Sequence, residues 1–105
     1  MELRGRFEHL FRTIDALLVP VQPFAPLALA EISTLGAQPD LILKLQRYTA
    51  PFDLTGHPTV TLPGGFSEQG LPIGLQLAGR DETALIRAAV KFQRETPWHR
   101  RHPFD

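Results

Sequence analysis

Residues 56–80 read GHPTVTLPGGFSEQGLPIGLQLAGR and contain the two clearest strand patterns of the chain. Val60 and Leu62 alternate with threonines between two prolines, and this period of two predicts a strand. Three apolar side chains alternate with glycine and glutamine over residues 73–77 and predict a second strand. The glycine-rich stretch 64–70 between them is typical of a turn. We therefore expect an antiparallel hairpin with a long connecting loop.

Regular patterns on both sides of the hairpin predict two helices and a third strand. The spacing of apolar residues over residues 2–13 favours an amphipathic helix. Another helix is expected to start at the N-cap residue Asp81 and to end before Pro97. Residues 16–19 are apolar at every position, which is typical of a strand in the middle of a sheet that is covered on both faces.

The remaining segments are irregular. Pro20, Pro23 and Pro26 force an extended loop, because proline fixes the backbone and restricts the residue before it. Residues 27–38 have no clear period and are expected to form a loop or a weak helix. The basic tail over residues 98–103 is expected to be loosely held.

A weaker helical pattern begins at Asp40, a suitable N-cap, and extends to about Tyr48. Pro51 is expected to end this helix, because proline disrupts a helix interior. The whole pattern predicts an α/β fold with about three strands, one hairpin among them, and two to three helices.

The composition excludes several classes of protein. The chain has 105 residues, enough for one small domain, and its 43% hydrophobic and 21% charged residues favour a globular fold over disorder. Its formal net charge of zero argues against a nucleic-acid partner, and the absence of cysteine excludes disulfide scaffolds. No apolar run approaches the ~20 residues of a membrane span, so no membrane partner is expected. The amino-terminal residues do not resemble a secretory signal, and we predict a cytoplasmic location.

The polar residues alone point to no convincing active site. Ser33 or Ser67 could be combined with a histidine and an aspartate, but neither lies in a Gly-x-Ser-x-Gly turn, so surface hydroxyls are the simpler interpretation. His99 and His102 have the spacing of metal ligands, but the two arginines between them would repel a cation. The residue patterns therefore predict no catalytic residue, no metal site and no cofactor.

Several longer motifs resemble the amidase signature family. Residues 48–58, YTAPFDLTGHP, are similar to its T-x-P-F-N-x-(T/A)-G-x-P stretch. Residues 70–80, GLPIGLQLAGR, resemble its G-L-P-(I/V)-G-L-Q-L-(I/V)-G-(R/K) strand, and residues 11–23 resemble its F-x-x-x-D-x-L-L-x-P-x-x-P strand and loop. The resemblance spans about residues 7–102 and is most specific over 56–80.

The resemblance implies that residues 1–105 are the C-terminal portion of an amidase domain, with an incomplete mixed sheet. Such proteins hydrolyse carboxamides or serve as glutamine amidotransferase subunits. They use a serine nucleophile, a second serine joined by a cis peptide, and a lysine, all from earlier parts of the fold. This sequence has no Gly-Gly-Ser-Ser run, and Lys44 and Lys91 lie outside the catalytic motifs. We therefore expect the chain alone to be inactive.

The resemblance also places part of a substrate pocket at Gln46, Tyr48 and Thr49. In glutamine-using members, an acidic residue at the position of Gln46 helps to hold the α-amino group of the substrate. An amide cannot pair with an ammonium group as a carboxylate does, so a glutamine substrate is disfavoured. Asp53 and His57 also depart from the family pattern, and sequence drift in a loop explains all three departures equally well.

Two hypotheses follow for the biological role. In the first, the chain is part of an amidase whose N-terminal and central portion is its partner, or it associates with itself. Since the family places the helix over residues 2–13 inside the domain, we expect the DNA upstream to encode the missing portion. In the second, the chain is a small interaction module that docks through its sheet edges or through the loop from Pro20 to Pro26.

Overall fold

The computed structural model describes residues 2–22 and 27–102, and these contain a three-stranded antiparallel sheet. The strands are β1 (Leu17–Pro20), β2 (Thr59–Phe66) and β3 (Pro72–Ala78), in the spatial order β1-β3-β2. Strands β2 and β3 form the predicted hairpin, with Leu62 opposite Leu75. The expected α/β fold with three strands and one hairpin is therefore confirmed, and both pairings within the described residues are antiparallel.

The hairpin connection is shorter than the sequence predicts. The glycines at 64 and 65 belong to β2 rather than to the turn, and the register shifts between Pro63 and Gly65. A side chain at Gly64 would clash with Leu75, so glycine lets the two strands approach. Gly65 has a φ of 142°, which other residues rarely adopt. These glycines form a β-bulge that lets β2 continue to Phe66.

Strand β1 is not in the middle of the sheet, contrary to its apolar sequence. Within residues 2–22 and 27–102 it pairs with β3 alone and so forms one edge of the sheet. The Leu18 side chain is 61% exposed, whereas its neighbours Leu17 and Val19 are half-buried on the other face. The prediction of cover on both faces is therefore wrong for this strand, because the Leu18 side chain is left exposed by the described residues.

The described residues contain five α-helices rather than two to three. Residues 27–38, for which the sequence allows a loop or a weak helix, contain the second of these helices and a short 3-10 turn. The helices are α1 (Glu2–Leu10), α2 (Leu29–Ser33), α3 (Pro39–Gln46), α4 (Ala50–Thr55) and α5 (Glu82–Glu95).

Proline lies in the first turn of two helices whose starts differ from the predicted pattern. Helix α3 begins with Pro39 in its first turn and has Gln38 as its N-cap, so the predicted cap Asp40 lies inside the helix. Pro51 lies in the first turn of α4 and starts this helix instead of ending the previous one. Both positions suit proline, because the first amide groups of a helix have no intrahelical acceptor.

Helix α5 begins as the sequence predicts. Asp81 is its N-cap, and its Oδ1 accepts a hydrogen bond of 2.9 Å from the backbone N–H of Thr83. The helix ends at Glu95, before Pro97, and it buries Leu85 and Ala89 while packing against β2.

One part of the core lies on the face of the sheet that carries Ala78. Phe11, which directly follows α1, and Phe52, in α4, pack against Ala78, which is fully buried. Helices α1 and α4 also contact each other over this face. The partly buried residues around this cluster are Phe7, Ile14, Leu17 and Val19.

Two sequence predictions concern the ends of the described segments. The tail after α5 is not loose, because residues Trp98–Arg100 form a 3-10 turn that contacts β2. Pro20 ends β1, whereas Pro23 and Pro26 lie outside the described residues.

None of the described helices is both long and apolar enough to cross a bilayer.

Candidate functional site

The three predicted pocket residues lie on one turn between α3 and α4. Gln46 is the last residue of α3 and is exposed, whereas Tyr48 and Thr49 are half-buried. The backbone N–H of Thr49 donates to the Gln46 carbonyl over 3.2 Å and closes the turn. The Thr49 carbonyl then accepts from the N–H groups of Phe52 and Asp53 at the start of α4.

Gln76 attaches this turn to the central strand. Its side chain is 4% exposed, and its Nε2 donates a hydrogen bond of 2.9 Å to the Tyr48 carbonyl. A buried amide group needs such a partner, because leaving it unpaired costs about 1–3 kcal/mol. The sequence motifs do not single out Gln76 as a site residue. A polar side chain on the central strand of a sheet is the feature that could have identified it.

A second polar cluster joins α1 to the end of α4. His57 is 8% exposed, and its Nε2 lies 2.8 Å from Glu8 Oε1 while its Nδ1 lies 2.8 Å from Thr55 Oγ1. A carboxylate can only accept, so Nε2 donates to Glu8, and in the tautomer with its proton on Nε2 the Nδ1 atom accepts from the Thr55 hydroxyl. The ring also packs edge-on against Phe7 and Phe11.

The Thr55 hydroxyl, the His57 imidazole and the Glu8 carboxylate are connected in the same order as the groups of a catalytic triad, but they do not form one. The Thr55 side chain is 1% exposed, so no substrate carbonyl can reach its oxygen. Helix α4 ends at Thr55, and Gly56 follows in the left-handed conformation, with a φ of 78°, which directs His57 back toward α1. The cluster therefore acts as a cross-link between two helices.

The serines and histidines considered from the sequence do not combine into a catalytic or metal site. Ser33 Oγ donates to the Ala30 carbonyl over 2.8 Å, and Ser67 Oγ accepts from the Leu71 N–H over 3.1 Å. Both hydroxyls therefore act in local turns. Over residues 2–22 and 27–102, no group of three or more acidic or histidine side chains could hold a metal ion, and this includes His99 and His102.

Comparison with known proteins identifies the family. The family model described as Amidase matches residues 1–84. The chain belongs to the amidase family. It is 38% identical over 105 residues to AmiD of Mycobacterium tuberculosis, an amidase by name, and 39% identical over 103 residues to a glutamyl-tRNA(Gln) amidotransferase subunit from a Cyanothece species.

Solved structures of amidase-family proteins share the fold of this segment. The glutamyl-tRNA(Gln) amidotransferase subunit from Thermotoga maritima superposes with a TM-score of 0.78 and 27% identity over 90% of the chain. A 6-aminohexanoate cyclic dimer hydrolase also superposes with a TM-score of 0.78, at 24% identity over 95% of the chain. These comparisons confirm the resemblance inferred from the motifs.

The match covers only part of each amidase relative. The alignments take in 98% and 96% of this chain but only 22% of AmiD and 21% of the Cyanothece protein. The chain therefore spans about a fifth of the length of the curated relatives it matches, and the same holds for the Thermotoga structure, of which it covers 20%.

Proposed function

We propose that the chain is the C-terminal part of a carboxamide hydrolase and that the rest of an amidase domain completes it. The observation that carries this proposal is the Amidase match over residues 1–84 within a chain that covers about a fifth of its relatives. Amide hydrolysis by a serine nucleophile needs a base and oxyanion donors in addition to the nucleophile. These groups are expected in the remaining four fifths of the domain.

The unpaired edges of the sheet support the proposal that the rest of the amidase domain completes it. Strands β1 and β2 each have one edge without a partner strand among the described residues. Leu18 lies on one of these edges and exposes its apolar side chain. Natural sheets normally cover or charge such edges, so apolar residues here favour a covering partner over solvent. The partner favoured by this argument is the N-terminal and central portion of the same amidase domain.

The turn that carries Gln46, Tyr48 and Thr49 is the proposed contribution to the substrate pocket. Its attachment to Gln76 supports this assignment, because a pocket wall must be held in a fixed position. Gln46 presents an exposed neutral amide, which offers no charge partner to an α-ammonium group. We infer that the substrate is a carboxamide without such a group, rather than glutamine.

The first test is an assay of the chain alone. The purified chain is expected to hydrolyse no member of a panel of aliphatic and aryl amides above the buffer blank. Turnover that co-purifies with the chain and disappears in Ser67→Ala would contradict the proposal, because it would identify an independent nucleophile.

The second test supplies the rest of the domain. A chimaera is made in which this chain replaces the matched segment of AmiD, and its amide turnover is compared with that of AmiD itself. The chimaera is expected to retain turnover, and Ser67→Ala within it is the matched control that should leave the rate unchanged. A folded chimaera without turnover on amides that AmiD hydrolyses would refute the proposed role.

A further inference from the structure

A cleft of about 480 Å³ lies between the turn end of the hairpin and the C-terminal 3-10 turn. One wall contains Phe66 and Leu71, from the end of β2 and the connector, and the other contains residues that follow α5. The cleft is separate from the turn proposed to face the amide substrate, because none of its lining residues comes from α3 or α4. Its volume is in the range of about 300–1,000 Å³ that is typical of small-molecule sites.

Two aromatic rings form an ordered part of the lining. The Phe66 and Trp98 rings meet edge to face with their centroids 6.1 Å apart, an arrangement that aromatic pairs prefer. The β-bulge before Phe66 makes this contact possible, because it allows β2 to extend beyond the expected turn. The Arg101 guanidinium lies over the Phe66 ring, with its carbon 4.1 Å from the ring centroid.

The lining contains one permanently charged side chain, the guanidinium of Arg101. His99 and His102 lie in the same lining, which includes no aspartate or glutamate from the described part of the chain. Among the described residues, no carboxylate lies within ion-pair distance of Arg101. A guanidinium without an anion beside an apolar wall is well suited to accept a ligand carboxylate, because its planar donors match that group.

His99, another residue of the lining, supplies an independent observation. Its Nδ1 is buried without a hydrogen-bond partner, and it is the one such side-chain atom among the described residues. Buried polar atoms are nearly always paired in proteins, and an exception often marks a water, an ion or a ligand that the structure does not include.

We propose that this cleft binds a small aromatic carboxylate, with its ring against Phe66 and Trp98 and its carboxylate on Arg101. The aromatic lining favours a planar apolar body, and the Arg101 guanidinium favours one negative charge. This site is additional to the proposed amide chemistry, and its occupancy is measured without any hydrolysis assay, so the two proposals fail independently.

The test uses Trp98, which is the only tryptophan in the chain and therefore a specific reporter of the cleft. The full chain is titrated with phenylacetate while its tryptophan fluorescence is followed. A saturable change is expected for phenylacetate, and phenylacetamide, which has the same shape without the charge, is expected to bind at least about tenfold more weakly.

Two neighbouring arginines give a matched pair of variants. Arg101→Gln is expected to weaken phenylacetate binding by about tenfold, because it removes the cation on the cleft wall. Arg100→Gln removes the same charge from a residue that does not line the cleft, and it should change the dissociation constant by less than about twofold. Far-UV circular dichroism checks that both variants keep the wild-type fold.

Three outcomes would overturn the proposal. The first is no saturable response to phenylacetate, including the case in which the chain does not fold and forms no cleft. The second is equal binding of phenylacetamide, which would show that charge is not recognised. The third is equal weakening by Arg100→Gln and Arg101→Gln, which would indicate a general attraction to a basic tail.

Discussion

At the scale of single residues, His57 is the strongest candidate for a stabilising group. The substitution His57→Phe keeps an aromatic ring between Phe7 and Phe11 but removes both hydrogen bonds of the imidazole. The Thr55 hydroxyl is then buried without its partner, so we expect the free energy of unfolding to fall by about 1–3 kcal/mol. Chemical denaturation followed by circular dichroism measures this change.

Two further variants test the cause of that loss. His9→Phe alters an exposed histidine of α1 and should change stability by less than about 0.5 kcal/mol. Adding Thr55→Val to His57→Phe removes the unpaired hydroxyl, so it should recover part of the loss. Equal stability of His57→Phe and the wild-type chain would contradict the proposed cross-link.

The site residues show which contacts a sequence can reveal. Gln46, Tyr48 and Thr49 are within four positions of one another, so their proximity follows from the sequence alone. The turn does not, because the helical pattern is expected to extend to about Tyr48 and α3 ends at Gln46. The partners of Gln76 and His57 are far away along the chain, at Tyr48 and Glu8. Such long-range pairs depend on how the helices dock on the sheet, which the local pattern does not determine.

At the scale of secondary-structure elements, the N-cap of α5 gives a direct test. Asp81→Ala removes the acceptor for the Thr83 N–H, and the expected loss of stability is about 1 kcal/mol. Asp40→Ala is the matched control, because Asp40 lies inside α3 and is not its N-cap. A denaturation midpoint unchanged by Asp81→Ala, or a larger loss from Asp40→Ala, would contradict this assignment of caps.

The elements that sequence analysis predicted well are those with a strong period. The hairpin and α5 were predicted because alternation or helical spacing extends over their length. The errors fall at glycine and proline, where one residue type serves two purposes. Pro51 can end a helix or begin one, and in this chain it begins α4. Gly64 can form a turn or allow two strands to approach, and here it lies against Leu75. Which of the two roles a residue takes depends on neighbours that are distant in sequence.

At the scale of the whole molecule, we expect the isolated chain to associate with itself. Each of the two outer strands has an unpaired edge within the described residues, and Leu18 exposes apolar surface on one of them. Such edges recruit other chains. Size-exclusion chromatography with light scattering should therefore show species larger than the monomer.

Leu18→Lys should reduce this association, because a charge on an edge strand opposes pairing with another chain. Leu29→Lys is the control, since Leu29 is exposed on α2, away from the sheet. A single monomeric peak for the wild-type chain, with cooperative melting above about 60 °C at the top of the mesophile range, would contradict the expected self-association and the effect of Leu18→Lys. That result would favour the interaction module.

The strand order β1-β3-β2 has a consequence for how the chain acquires its fold. The pairing of β2 with β3 closes a short local loop, whereas the partners of β1 in β3 are separated from it by just over half of the sequence. Local contacts form faster than distant ones, so the hairpin is expected to fold first and to act as a template for β1. Late in folding, the vacant side of β3 is open to β1 of any nearby copy, which makes β1 the strand most readily exchanged between two chains.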